Sequence, residues 1–167
     1  MEAVQRLYVD SNIFIRLFEG NDEIATALGE LFLLETTRPE PPLATSELTL
    51  AEVLVVPYRE QNDRLIDAYD GWTKSNDYLE VGPLDRGVLW YAALLRSQYQ
   101  SLKLPDAIHV STAIGMRCSH FLSADRRLAD RYELTHTRHG VTKGPASVEV
   151  VHPERDVVNQ LIRALSQ

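Results

Sequence analysis

Short apolar runs alternate along this chain with longer stretches in which apolar residues recur at helical spacing. The short runs are rich in Leu, Val, Tyr and Phe, and they predict five β-strands. The longer stretches repeat apolar residues every three or four positions, which predicts amphipathic helices between the strands. The predicted strands cover residues 7–9, 43–45, 78–81, 120–122 and 147–151. The predicted helices cover residues 11–18, 22–34, 46–56, 59–74, 85–99, 105–117, 125–132 and 154–166.

This alternation of strands and helices predicts an α/β fold. We expect a three-layer sandwich, with a mostly parallel sheet and helices on both of its faces. Residues 135–146 are predicted to be a loop. No repeat or linker divides the sequence, so we expect a single domain over residues 1–167. Its core would span about residues 1–132, and residues 133–167 would add the loop, the fifth strand and a C-terminal helix.

The composition resembles that of ordinary globular proteins, with 44% hydrophobic and 25% charged residues. No apolar run is long enough to span a bilayer, and the first residues lack a signal-peptide pattern. Cys118 is the single cysteine, so no intramolecular disulfide can form. We therefore expect a cytoplasmic protein without membrane association.

The formal net charge is −7, which argues against a nucleic-acid binder that relies on its overall charge. The same surplus would also arise from carboxylates grouped around a bound cation. Such a cation would restore the attraction to phosphate.

Four carboxylates fall at or near predicted helix starts: Asp10, Glu52, Asp106 and Asp125. Each has an ordinary structural explanation. Asp10 and Asp125 could cap the helices that follow them, Glu52 could belong to a capping box, and Asp106 could interact with a helix dipole.

Taken together, the four carboxylates suggest a different role. In an open parallel sheet, ligands bind at the carboxyl ends of the strands where the strand order reverses. If strands 1 and 4 are neighbours there, Asp10 and Asp125 face each other, and the helices carrying Glu52 and Asp106 can lean over the same crevice. Carboxylates packed this closely favour a bound cation. Ligands with oxygen atoms alone favour Mg²⁺ or Mn²⁺ over zinc.

Four segments match the motifs of a known family. YVDSNIF at residues 8–14 resembles an opening VDTN block, with Ser11 in place of Thr, and SELTLAEV at residues 46–53 resembles an S-x-L-T-x-x-E helix. LPDAIH at residues 104–109 and LSADRR at residues 122–127 resemble LPDA and T-x-D blocks, with Ser123 in place of Thr. In order and spacing these motifs are similar to those of PIN-domain nucleases, especially the VapC-type ribonuclease toxins of toxin–antitoxin pairs.

The resemblance implies a five-stranded sheet of order 3-2-1-4-5, with strands 1 and 4 adjacent at its centre. It also implies a metal-dependent ribonuclease in which Asp10, Asp106 and Asp125 bind one or two Mg²⁺ or Mn²⁺ ions. Glu52 would position or deprotonate the attacking water. In-line attack at phosphorus would leave a 5′-phosphate and a 3′-hydroxyl. The side chains expected to hold the aspartates by hydrogen bonds are Ser11, Asn12 and Ser123.

The resemblance also implies partners. These are a single-stranded or structured RNA substrate, a cognate antitoxin bound in an apolar groove beside the active site, and a second copy of the chain in a homodimer. The cations that could contact RNA phosphates are Arg126, Arg127, Arg138 and Lys143. The alternative for these four residues is a solvated charged surface.

Two other functions stay open at this point. One is a different metal-dependent phosphate hydrolase on a similar sheet. A dehalogenase-like phosphatase would need a second aspartate two residues after the first, where this chain has Asn12. The other is a PIN-like module that binds or scaffolds without catalysis. His109 follows Asp106 by three residues, and we expect it to pack or hydrogen-bond near the site rather than ligate a metal.

Overall fold

A computed structural model of the chain describes residues 3–35 and 37–166. Within these ranges the chain forms helices and strands in the following order: β1 (Leu7–Val9), α1 (Ser11–Glu19), α2 (Glu23–Phe32), β2 (Leu43–Ser46), α3 (Glu47–Val53), α4 (Val55–Glu60), α5 (Asp63–Trp72), β3 (Leu79–Gly82), α6 (Arg86–Gln98), α7 (Leu104–Gly115), β4 (His120–Leu122), β5 (Arg131–Arg138), β6 (Val141–Val151) and α8 (Arg155–Leu165).

The strands form one six-stranded sheet in the order β3-β2-β1-β4-β6-β5. All neighbouring strands are parallel except β5 and β6, which are antiparallel. The strand order reverses between β1 and β4, where Val9 pairs with Leu122. The predicted α/β class is confirmed. The carboxyl ends of β1 and β4 are therefore the place where a ligand is expected to bind.

Two apolar clusters build the core, one on each face of the sheet. Because successive side chains of a strand point to opposite faces, Leu7 and Val9 join one cluster and Tyr8 joins the other. The Leu7 cluster packs the sheet against α1, α2, α5 and α8. The Tyr8 cluster packs it against α6 and α7. The three layers expected from the sequence follow from this alternation.

The prediction of five strands was wrong, because residues 135–146 are not a loop. They belong to a hairpin in which β5 and β6 are joined by the two-residue turn His139–Gly140, with Arg138 paired to Val141. Both turn residues have positive φ, 50° for His139 and 76° for Gly140, as a type I′ hairpin turn requires. The predicted fifth strand lies within β6, so the expected order 3-2-1-4-5 holds for the five predicted strands. The sixth strand, β5, adds to the edge.

Two predicted helices also differ in the structure. Residues 125–132 form a turn and the start of β5, because the Asp125 carboxylate accepts a hydrogen bond from the Arg127 backbone at 2.9 Å and closes the chain on itself. The predicted helix 46–56 is divided into α3 and α4 at Leu54. Pro57 explains the break, since proline has no N–H to donate to the carbonyl four residues earlier.

The single cysteine is inaccessible. Cys118 is 2% exposed, and burial raises the pKa of its thiol to about 12. Among the described residues, the helices are all too short or too polar to cross a membrane.

Candidate active site

Asp10 is fixed at the point where strand order reverses. It directly follows β1, its backbone N–H donates to the Leu122 carbonyl at 3.1 Å, and its side chain caps α1. One carboxylate oxygen accepts the Ser11 N–H at 2.7 Å. The other accepts the Asn12 amide at 2.7 Å and the Ser123 hydroxyl at 2.6 Å. Asp10 is only 6% exposed, so these bonds hold a buried carboxylate in one orientation.

Asn12 links the ends of β1 and β4. Its amide N–H₂ donates to Asp10 and, at 3.0 Å, to the Ser123 hydroxyl. Its carbonyl oxygen accepts the Ala124 backbone N–H at 2.8 Å. The Ser123 hydroxyl in turn accepts the backbone N–H of Asp125 at 3.1 Å. One asparagine and one serine thus connect the residues that follow both central strands.

Glu52 enters the site from α3. The Ser46 hydroxyl caps this helix, and Thr49 lies 2.8 Å from Thr45, whose hydroxyl donates to the Val9 carbonyl. These contacts fix α3 against the end of β1. The half-buried Glu52 carboxylate lies 2.8 Å from Nε2 of His109. Burial alone would raise the pKa of Glu52, but hydrogen bonds from His109 and Ser11 act against it, and the pKa is lowered.

Asp106 lies in the first turn of α7, with Pro105 beside it at the helix start. Its pKa is raised, first by burial and then by the negative charges of Asp10 and Asp125. Glu52 raises it further, whereas His109 lowers it. The four predicted carboxylates therefore lie close enough to interact electrostatically around Asp106.

Asp125 has the opposite shift. It lies in the turn after β4, where the Arg127 guanidinium contacts both carboxylate oxygens at 2.6–3.2 Å. Hydrogen bonds from Arg127 lower the pKa of Asp125 to about 2. Asp125 thus has a cationic partner in Arg127, whereas neighbouring negative charges raise the pKa of Asp106.

The residues present fit a divalent cation. Carboxylate oxygens of Asp10 and Glu52 and a ring nitrogen of His109 lie within 4.8 Å of one another. Asp106 adds a carboxylate whose charge is disfavoured by its neighbours, which a cation would relieve. The oxygen-rich donor set is the kind that Mg²⁺ and Mn²⁺ prefer.

The sequence matches the model of the PIN domain family over residues 7–134, from β1 into β5. The chain belongs to the PIN domain family. No curated protein matches the sequence significantly.

Solved structures with the same fold include toxin–antitoxin proteins. A toxin–antitoxin complex from Klebsiella pneumoniae is 26% identical, with a TM-score of 0.51, over 72% of this chain and 87% of that chain. VapBC2 from Rickettsia felis, bound to a DNA fragment from its promoter, is 18% identical, with a TM-score of 0.51, over 72% and 88% of the two chains. Mycobacterium tuberculosis VapC20, a Sarcin-Ricin loop cleaving toxin, is 17% identical, with a TM-score of 0.53, over 69% and 86%. The last two are similar in fold alone.

The four predicted cations of this PIN domain lie in two places. We call the cluster of Asp10, Glu52, Asp106 and Asp125 the acidic centre. There Arg127 pairs with Asp125, and the neighbouring Arg126 pairs with Glu154 at 2.8 Å. Arg138 and Lys143 lie near the end of the β5–β6 hairpin, where the Arg138 guanidinium lies 5.1 Å from the centre of the Trp90 ring. The structure therefore does not bring these two together with the arginines at the acidic centre.

The distance between the two places follows from β5. Tyr132, near the start of β5, lines a cavity of about 190 Å³ together with Asp106, Asp125, Arg127 and Lys103. Arg138 is six residues further along the strand, which corresponds to about 20 Å. The hairpin end is thus remote from the acidic centre.

Tyr8 and Lys103 were not predicted at the site, and His109 was expected near it without its partners being identified. His109 contacts Glu52, and Tyr8 contacts His109, but neither belongs to a recognised metal-ligand spacing. The signal for Tyr8 was a phenol within a buried apolar strand, since a buried hydroxyl needs a partner. Lys103 adds a cation beside Asp106 and Asp125, and its position before Pro105 gave no indication of this.

Proposed function

We propose that this protein is a Mg²⁺- or Mn²⁺-dependent endoribonuclease and the toxin of a type II toxin–antitoxin pair. The observation that supports this most directly is the meeting of Asp10, Glu52, Asp106 and Asp125 at the reversal of strand order. Membership of the PIN domain family supports nuclease chemistry. Similarity to a toxin–antitoxin complex from Klebsiella pneumoniae supports the biological role.

In this proposal, Asp10, Asp106 and Asp125 hold the metal. A bound divalent ion would polarise the phosphodiester and lower the pKa of a water bound to it. Asp10 is suited to this role because the Asn12 and Ser123 side chains and the Ser11 backbone N–H hold its carboxylate. Asp106 is suited because burial and the negative charges of Asp10 and Asp125 disfavour its own charge, which a cation would stabilise.

In this proposal Glu52 positions or deprotonates the attacking water. The pKa of Glu52 is lowered, so the carboxylate is ionised at neutral pH and can accept a hydrogen bond from the water. The water oxygen would attack phosphorus, the bond from phosphorus to the 3′ oxygen would break, and the products would carry a 5′-phosphate and a 3′-hydroxyl. Lys103, Arg126 and Arg127 lie where they could contact the substrate phosphates.

The proposed partners follow from this role. An RNA substrate, single-stranded or structured, would bind at the acidic centre in the cytoplasm. An antitoxin would bind and inhibit the toxin, and two copies of the chain would form a homodimer.

Asp10→Asn is the first test of this proposal. The amide removes the buried negative charge but keeps the shape, so we expect Mg²⁺-dependent cleavage of RNA to fall at least about a hundredfold. Cleavage should be measured on a single-stranded and on a structured RNA, with end-group analysis of the products. Asp67→Asn changes an exposed aspartate of α5 and should cleave like the wild type.

Metal binding gives an independent readout. A cation that binds the folded state must raise the melting temperature, so millimolar Mg²⁺ or Mn²⁺ should stabilise the wild type and not Asp10→Asn. Full cleavage by Asp10→Asn would contradict the assigned site. A wild type that neither cleaves RNA nor responds to these ions would instead be a binding module without catalysis.

A further inference from the structure

A buried row of three side chains leads from the sheet into the acidic centre. The Tyr8 hydroxyl lies 2.7 Å from Nδ1 of His109, and Nε2 of the same ring lies 2.8 Å from a Glu52 carboxylate oxygen. Tyr8 is fully buried and His109 is 1% exposed. Both ring nitrogens of His109 therefore have protein partners, in a place that solvent does not reach.

The chemistry of the partners decides which nitrogen carries a hydrogen. An ionised carboxylate can only accept hydrogen bonds, so Nε2 must carry a hydrogen to bond to Glu52 at 2.8 Å. The Tyr8 hydroxyl, which can donate one hydrogen bond, lies 2.7 Å from Nδ1 and can donate to it when that nitrogen carries no hydrogen. If Nε2 carried no hydrogen, its lone pair would face the Glu52 carboxylate, and these two acceptors would repel each other.

This arrangement also decides whether His109 can ligate a metal. An Nε2 that carries a hydrogen has no lone pair for a metal ion, and Nδ1 is occupied by Tyr8. The distance from Nε2 to Asp10 is 3.8 Å, too long for a hydrogen bond. The closeness of His109 to Asp10 and Glu52 is therefore explained by its bond to Glu52 alone.

We propose that His109, oriented by Tyr8, is a positioning residue that aims the Glu52 carboxylate by donating a hydrogen bond to it, and that it is not a metal ligand. This inference rests on the proposed nuclease function for its catalytic consequence. It leaves a metal centre with oxygen ligands alone, which favours Mg²⁺ and Mn²⁺ over Zn²⁺.

Two substitutions of His109 separate hydrogen bonding from packing. His109→Gln keeps an N–H donor near the position of Nε2, whereas His109→Leu fills the space without a donor. We expect His109→Leu to lower kcat about 10–100-fold with KM for RNA unchanged, as for other residues that orient a metal-site group. His109→Gln should retain most of the wild-type kcat. Melting temperatures would show that both variants fold.

The chain offers a matched control. His120 is also a buried histidine near a glutamate, with Nε2 3.4 Å from Glu149, but it begins β4 at the end of the strand away from Ser123. His120→Leu should alter stability and leave kcat unchanged. Wild-type kcat in His109→Leu would overturn the proposal. So would a His109→Gln variant that folds but is as slow as His109→Leu.

Long-range ¹H–¹⁵N NMR of the histidine rings tests the hydrogen bond without any activity. The His109 signal is the one that is lost in His109→Gln. It should show an Nε2 that carries a hydrogen and an Nδ1 that carries none and accepts a hydrogen bond. Adding Mg²⁺ should leave the Nε2 hydrogen in place, and its loss would make His109 a ligand and overturn the proposal. If the wild type fails to cleave RNA, the proposed function fails, but this measurement still decides the role of His109 at Glu52.

Discussion

Asp106 and Asp125 show how neighbouring residues divide a single site. Both carboxylates border the same cavity, yet the pKa of Asp106 is raised by burial and by like charges, and that of Asp125 is lowered to about 2 by Arg127. Asp106 is thus the carboxylate that most needs a cation, and Asp125 already shares one. A metal ion that binds here would compete with Arg127 for Asp125, and a phosphate would compete with Asp125 for Arg127.

Arg127→Ala should reveal this pair through the pH dependence of stability. Because the folded-state pKa of Asp125 lies below its ordinary value, the pair stabilises the fold above about pH 4, and this contribution is lost as the pH falls toward 2. Urea unfolding should show Arg127→Ala less stable than the wild type at pH 7, by a small amount because Arg127 is 73% exposed. The difference should vanish near pH 2, and a difference that is equal at both pH values would contradict the assignment.

The ends of β1 and β4 depend on Asn12 as much as on backbone pairing. Only three residues of each strand pair at this point, and β4 is followed by a turn rather than by a helix. The Asn12 side chain contacts Asp10, Ser123 and the Ala124 backbone, so it joins the start of α1 to that turn. The geometry of the site therefore relies on one amide side chain.

Asn12→Ala should lower the free energy of unfolding by about 1–3 kcal/mol, because it leaves buried partners without their hydrogen bonds. Ser11→Ala is the comparison, since the Ser11 hydroxyl lies 3.4 Å from Asp10 and contributes less. Denaturant unfolding of both variants measures the effect. Equal, negligible losses for the two would mean that backbone pairing alone holds the strand ends.

The sequence predicted the elements whose apolar residues repeat regularly, and it missed those determined by turns. Leu7, Tyr8 and Val9 read as a buried strand because all three are apolar or aromatic. The hairpin was missed because residues 135–146 are mostly polar. Its signal was Gly140 after a run in which Thr135 and Thr137 alternate with other residues, a pattern that fits an exposed hairpin with a two-residue turn. A hydrogen-bonding role for His109 near the site was expected, but its partner could not be predicted, because Glu52 lies 57 residues away and only the folded chain brings the two together.

Charge is unevenly distributed over the whole molecule. The chain carries a net charge of −7, and four of its carboxylates meet beyond the carboxyl ends of the central strands β1 and β4. At the hairpin, residues 135–146 contain Arg138, Lys143 and two histidines but no acidic residue. A nucleic acid cleaved at the acidic centre could thus reach cations about 20 Å away along β5.

The double substitution Arg138→Glu with Lys143→Glu tests whether RNA reaches the hairpin. If it does, KM should rise at low salt with kcat unchanged, and the dependence of binding on salt concentration should weaken by about 0.7 in log–log slope for each lost phosphate contact on single-stranded RNA. Arg163→Glu, an exposed arginine of α8, is the control. Unchanged binding at every salt concentration would show that the hairpin cations are only a solvated surface.

The burial of Cys118 makes this protein a convenient subject for site-specific labelling. The Cys118 thiol is 2% exposed and has a pKa of about 12. We therefore expect maleimide reagents to leave the wild type unmodified near neutral pH. In Val141→Cys, the introduced thiol at an exposed hairpin position would be the one that reacts. A fluorophore attached there would report directly on any molecule that approaches this end of the sheet, without first removing a native cysteine.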